Sequence, residues 1–242
     1  NMGCPVPKVV KTGAGAALIA EPERAIAIAR AAAEGSGLPV TVKLRSGLEP
    51  GDSSGVELAR RLVAEAGVAA IALHPRPAAQ HHTGIPDLAL VRELVGTLDA
   101  DAAQAGETPR GRPPVIVTGG LRTAERARRA YEESGADAVM IARGSLGNPW
   151  IFTELTRGGP AAPEPAEVVA ELRWLISCAE DHWGPERAGR NLRKLYPWYL
   201  ERLGVIGPDA DRFQRAEGLD RVREMLGALD SATPERPLTA AL

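Results

Sequence analysis

The sequence predicts an α/β chain: the C-terminal half of a (β/α)8 TIM barrel followed by a small all-α helical domain. Three observations predict it. Helix-like and strand-like segments alternate from residue 20 to residue 155. The strand-like segments are apolar on both faces, as expected where helices cover a parallel sheet. Beyond residue 165 only helical periods remain. A complete barrel needs about 250 residues and eight strands, whereas the region before residue 157 supplies four evident strands. A smaller open α/β sheet is the alternative; the start at Asn1, in place of an initiator Met, favours a half-barrel whose first half lies upstream.

In order along the chain, Asn1-Met2-Gly3-Cys4-Pro5 reads as the end of a strand followed by a sharp turn that presents Cys4. Residues 25–33, after Glu21-Pro22, read as a helix, and 39–44 as a short buried strand. Residues 54–66 form a helix with an Asp/Ser start that Gly67 ends, and 68–73 the next strand. Residues 87–98 are helical, 114–118 a strand, 123–134 helical and 138–141 a strand. Segment 100–113, rich in Asp, Ala, Gly and Pro, reads as a surface insertion without structure of its own. These elements place a catalytic domain at 1–156. Residues 157–165 form a Pro/Gly-rich linker, and 166–242 the helical domain, with periods at 164–181, 185–203, 209–215 and 219–229 and a frayed end at 231–242.

Composition narrows the function. With 44% hydrophobic and 25% charged residues in 242, the chain has the make-up of a soluble globular protein. No apolar run approaches the roughly 18 residues that span a bilayer, and no secretory signal pattern opens the chain, so a cytoplasmic location is expected. The 29 basic and 31 acidic residues give a net charge of −2; a nucleic-acid partner would have to be met by a local basic patch. Two cysteines, Cys4 and Cys178, are too few for a disulfide framework or a four-ligand zinc site.

In a barrel, chemistry sits in the loops after the strands. Thr118-Gly119-Gly120 follows the third visible strand and Ala142-Arg143-Gly144 the fourth; each leads to a helix N-terminus, where backbone N–H groups bind anions. Tight turning alone would also explain the glycines. Lys43 is the polar end of an apolar strand, so it either meets an anionic ligand or snorkels to solvent. The same choice applies to His74-Pro75-Arg76. Gln80-His81-His82-Thr83-Gly84 is rejected as a metal cluster, because adjacent histidines point apart on an extended chain and no acidic or thiol ligand has the usual spacing. Cys178, in the apolar stripe with Leu172 and Leu175, reads as a small buried hydrophobe. Cys4, wedged between Gly3 and Pro5, reads as a thiol acid or nucleophile.

Asn1-Met2-Gly3-Cys4-Pro5-Val6, Lys8-Val9-Val10-Lys11, Gly13-Ala14-Gly15-Ala16, Val40-Thr41-Val42-Lys43-Leu44-Arg45, His74-Pro75-Arg76, the run 114–119 and the run 139–152 together resemble the tRNA-dihydrouridine synthases, nearest to the bacterial B-type branch. The resemblance covers essentially the whole chain. It implies an FMN-bearing barrel that reduces uridine in tRNA to 5,6-dihydrouridine, with NADPH as reductant, acting as a monomer without metal; lacking the first half of that barrel, the 242 residues are expected to be inactive on their own. It makes Cys4 the proton donor to C5. Lys43 and His74 become neighbours of the flavin, while Thr118, Gly119, Gly120, Ala142 and Arg143 hold its phosphate. An FMN barrel oxidoreductase acting on a free pyrimidine, and a non-catalytic RNA-contacting fragment, are the alternatives.

The chain departs from the family pattern. Asn-Gly-Asp has become Thr118-Gly119-Gly120, His-Gly-Arg-Thr-Arg has become His74-Pro75-Arg76-Pro77-Ala78, and Tyr-Ser-Gly has become His82-Thr83-Gly84. Arg76 is expected at the tRNA substrate. From 161 to 242 there are 11 basic and 14 acidic residues, a net −3, so the tail is no general polyanion binder. Arg187, Arg190, Arg193 and Lys194 nevertheless cluster without an acid, with 187, 190 and 194 on one expected helical face and Tyr196, Trp198 and Tyr199 close behind. A solvated helix face or RNA backbone contact would produce this pattern, and the resemblance favours RNA.

Overall fold

The computed structural model describes residues 1–106, 111–158 and 162–231. The chain divides into two compact units, Asn1–Gly144 and Ser145–Leu242.

The first unit opens with a short helix α1 (Pro7–Val10), a 3-10 turn (Gly15–Ala20) and helix α2 (Pro22–Ser36). Then β1 (Thr41–Arg45), α3 (Ser54–Ala66), β2 (Ala70–His74), α4 (Leu88–Gln104), β3 (Val115–Thr118), α5 (Ala124–Ser134) and β4 (Ala138–Met140) follow in strict alternation. The four strands pair in parallel in sequence order, β1-β2-β3-β4. Right-handed crossovers between successive parallel neighbours put every helix on the same side, and α2, α3, α4 and α5 pack each on the next.

Strand alternation and register sort the side chains. Val42, Leu44, Ile71, Leu73, Val115 and Val117 are buried under the helices, each such Leu, Ile or Val contributing roughly 1.5–3 kcal/mol. The other face carries Lys43 beside Ala72, Arg45 beside His74, and Thr118 beside Met140. It is the less covered face: Lys43 is half-buried and Met140 exposed. The polar residues therefore gather at the carboxyl end of one sheet face.

One expected boundary moves within this unit. Helix α4 runs to Gln104, so much of the segment expected as an insertion is helical. Its Ala-rich sequence favours helix, Ala102 is buried, and Asp101 pairs with Arg60 of α3 at 2.8 Å. Residues 107–110 of that segment lie outside the described residues.

The second unit is helical among its described residues: after a 3-10 turn (Arg143–Ser145) that straddles the division come α6 (Trp150–Arg157), α7 (Pro165–Trp183), α8 (Pro185–Leu192), α9 (Tyr196–Arg202), α10 (Pro208–Arg215) and α11 (Gly218–Ser231). Proline opens α7, α8 and α10, where its missing N–H costs nothing, and a capping box of Glu164 and Glu167 closes the start of α7. Leu172, Ile176, Leu192, Tyr196, Leu200 and Leu226 form its core, against which Trp150 packs. That contact places the division before α6, upstream of the Pro/Gly segment at 157–165; residues 159–161 of that segment, and 232–242 of the expected frayed end, lie outside the described residues.

Residues 185–203 do not form one helix. Pro197 removes an N–H and would clash with the carbonyl four residues back, so α8 stops at Leu192, the chain turns, and α9 starts at Tyr196. Cys178 is exposed rather than buried: the buried stripe of α7 runs through Val168, Val169, Leu172, Ile176 and Ala179 and leaves position 178 outside.

Candidate active site

The Cys4 turn is held from two sides. The Met2 N–H donates to the Lys43 carbonyl at 2.9 Å, and Met2 forms a parallel bridge with Leu44. Gly3 lies so close to β1 that a Cβ would be 3.1 Å from the Leu44 carbonyl carbon. On the other side the Ala16 N–H donates to the Cys4 carbonyl at 3.0 Å. Cys4 itself is half-buried. A small side chain therefore reaches the end of the sheet on a backbone that its neighbours fix.

Arg45 ties this turn to the loop after β2. It is 2% exposed. Its Nε donates to the Gly3 carbonyl at 3.2 Å, and its Nη1 donates to the carbonyls of Pro77 at 3.0 Å and His81 at 2.6 Å. His81 has a φ of 50°, an uncommon conformation for a residue with a side chain, and the bond from Arg45 holds its carbonyl there.

The rest of the mouth is cationic. His74 is 4% exposed, and burial, helped by Arg45, Lys43, Arg76 and His82, pushes its pKa down to about 3. The imidazole is neutral at physiological pH, and because Arg76 Nη1 can only donate, His74 Nε2 accepts at 3.3 Å and the ring proton sits on Nδ1. Burial and Arg45 lower the Lys43 pKa, while Cys4 acts in the opposite direction. Burial and Arg143 lower that of Arg76. No carboxylate figures among these influences. Such a set of desolvated cations favours an anionic ligand.

Gly119 and Gly120 shape the floor. Gly119 has a φ of 103°, and a Cβ there would overlap the His74 imidazole; only glycine lets that ring in. A Cβ on Gly120 would sit 3.3 Å from Arg76 Nη2 and from Pro86 Cγ. Thr118 spends its hydroxyl on the Met140 carbonyl at 2.9 Å. Ala142 and Arg143 follow β4 and are exposed.

The family model described as Dihydrouridine synthase (Dus) matches residues 1–229. This chain belongs to the dihydrouridine synthase family. It is 34% identical over 245 residues to a probable tRNA-dihydrouridine synthase of Mycobacterium leprae, covering 97% of this chain and 60% of that one. It is 37% identical over 211 residues to a protein of the same description from Treponema pallidum, covering 83% and 59%. With tRNA-dihydrouridine synthase B of Pseudomonas aeruginosa the figures are 34% over 231 residues, 91% and 64%. The chain thus spans about three fifths of the length of these relatives.

In this dihydrouridine synthase chain, Cys4, Lys43, His74, Arg76, Thr118, Gly119, Gly120, Ala142 and Arg143 all lie in the first unit: Lys43 in the middle of β1, Cys4 after the bridge at Met2, and the rest at or just beyond the carboxyl ends of β2, β3 and β4. Arg187, Arg190, Arg193 and Lys194 form a separate exposed group in the second. Their grouping differs from the expected helical face, since Arg193 and Lys194 fall in the turn between α8 and α9. Tyr196 and Tyr199 are 1% and 6% exposed; they belong to the helical core and do not offer stacking faces. Arg45 was not among the residues the sequence singled out. Its signal was present: two residues after Lys43 on a strand, it had to share that side chain's face.

Proposed function

We propose that β1–β4 with their helices form the C-terminal half of a (β/α)8 TIM barrel, and that residues 166–242 contact tRNA, in an enzyme that reduces uridine in tRNA to 5,6-dihydrouridine. The observation that carries the reading is the convergence of Cys4, Lys43 and His74 at the end of the sheet, beside the side-chain-free turn Gly119-Gly120, with no carboxylate among the influences on Lys43, Arg45, His74 and Arg76.

That donor set suits FMN. The Gly119-Gly120 turn and Arg143 would hold its phosphate, with Thr118 and Ala142 alongside, and Lys43 and His74 would lie along its ring. Bound there, FMN would supply hydride chemistry at C6 of uridine, with NADPH as the source of reducing equivalents. Cys4 gives the thiol proton to C5. Neutral His74 accepts from Arg76 and so has no proton on Nε2 to give; it positions and does not compete with Cys4 as acid. Lys43 stabilises negative charge that gathers on a bound ring.

The test is formation of dihydrouridine in unmodified tRNA, with FMN and NADPH, by this chain joined to the first half of the barrel. Cys4→Ala is expected to slow it about 10²–10⁴-fold, the usual contribution of a positioned general acid. Full activity in that variant, or reduction of free uridine in preference to tRNA, would overturn the reading.

A further inference from the structure

Arg76 is 5% exposed, yet its guanidinium is only partly used. Nη1 donates to His74 Nε2 at 3.3 Å and Nη2 to the Gly84 carbonyl at 2.6 Å. Nε is buried with no hydrogen-bond partner. A buried donor left unpaired is costly, and more so when it is charged. The two bonds already made fix the plane of the group. Pro75 and Pro77 on either side restrict the backbone, and the Arg76 N–H closes a tight turn onto the His74 carbonyl at 2.7 Å. Arg76 is therefore rigidly set before any ligand arrives.

Its surroundings say what that ligand is. Gly120 packs beside the guanidinium and brings neither bulk nor charge. Arg143, from the loop after β4, is close enough to disfavour the Arg76 charge, and no acid offsets it. Two guanidiniums beside a glycine turn, with no carboxylate acting on the buried one, match a group that carries two negative charges and several acceptor oxygens.

We propose that Arg76 binds the phosphate monoester of the flavin nucleotide, Nε donating to one of its oxygens, and so sets the preference for FMN over unphosphorylated flavin. This inference rests on the flavin reading above and moves Arg76 from the tRNA to the cofactor. Phosphate in an RNA backbone is the other source of the same chemistry, but each linkage there carries one charge where the monoester carries close to two.

The experiment titrates the 242-residue chain with FMN and with riboflavin, following flavin fluorescence. Riboflavin differs from FMN only by the phosphate. Arg76→Gln is expected to weaken FMN about 10- to 100-fold, the worth of a charged hydrogen bond, and to leave riboflavin and tRNA binding within twofold. Arg76→Lys restores part of the loss, because an ammonium lacks the planar fork. On the unaltered chain, inorganic phosphate competes with FMN and not with riboflavin, which tests the site without any variant. Equal loss of FMN and riboflavin in Arg76→Gln, loss confined to tRNA, or no competition by phosphate would overturn the inference while leaving flavin binding intact. Failure of the unaltered chain to bind either flavin would instead overturn the flavin reading itself, and this inference with it.

Discussion

His74 pays for its neighbours at low pH. Its pKa falls from the ordinary 6.5 to about 3 on folding. Below pH 6.5 the unfolded chain takes up a proton that the native ring refuses. Native stability is thus lost as pH falls from about 6.5 toward 3, by up to roughly 1.4 kcal/mol per pH unit. Urea unfolding between pH 7 and pH 4 should show a steeper decline for the chain than for His74→Gln; parallel curves would refute the assignment. Lys43, His74 and Arg76 were legible in the sequence because each is a polar residue at the end of an apolar strand. The face of Arg45 was legible by its spacing from Lys43, but its clamp was not, because its partners are the carbonyls of Gly3, Pro77 and His81, which any residue could supply. Cys178 misled for a related reason: a stripe of apolar letters does not say where its edge lies, and one position decides between burial and exposure.

At the scale of elements, periodicity and punctuation carried most of the fold. Helix α3 begins at Ser54 and stops before Gly67, which takes a left-handed φ of 59°, as the sequence predicts. Helix α5 starts where the Thr123 hydroxyl accepts the Arg126 N–H at 3.2 Å. Thr123→Ala should cost about 1 kcal/mol and Thr123→Asp much less; equal melting temperatures for all three proteins would show that the cap contributes nothing. Two features were hidden. The end of α4 depends on the tertiary pairing of Arg60 with Asp101, which local composition does not reveal. The break between α8 and α9 was signalled by Pro197, but the charge pattern at 187–194 suggested a continuous face. Removing that face leaves Arg187 and Arg190 on a helix and Arg193 and Lys194 on a turn, so a partner would meet a corner and not a stripe.

At the scale of the molecule, charge is segregated. The first unit buries Arg45 and Arg76 at the end of a sheet, and the second exposes Arg187, Arg190, Arg193 and Lys194 in a tail that is acidic overall. If that corner contacts RNA, Arg190→Glu combined with Lys194→Glu should weaken tRNA binding and flatten its salt dependence by about two in the log–log slope. Flavin affinity should stay within twofold, and a matching loss of flavin would reveal misfolding instead. The Arg45 clamp has a further consequence, for the order in which the chain folds. Its acceptors lie 42, 32 and 36 residues away in the sequence, so each bond closes a long loop. A guanidinium removed from water before its acceptors arrive is strongly unfavourable. A half-folded chain thus has no reason to bury Arg45, and the Cys4 turn and the 75–84 loop gain their anchor together. The carboxyl end of the sheet is assembled cooperatively, and the Cys4 turn gains its fixed position only as the Arg45 clamp closes.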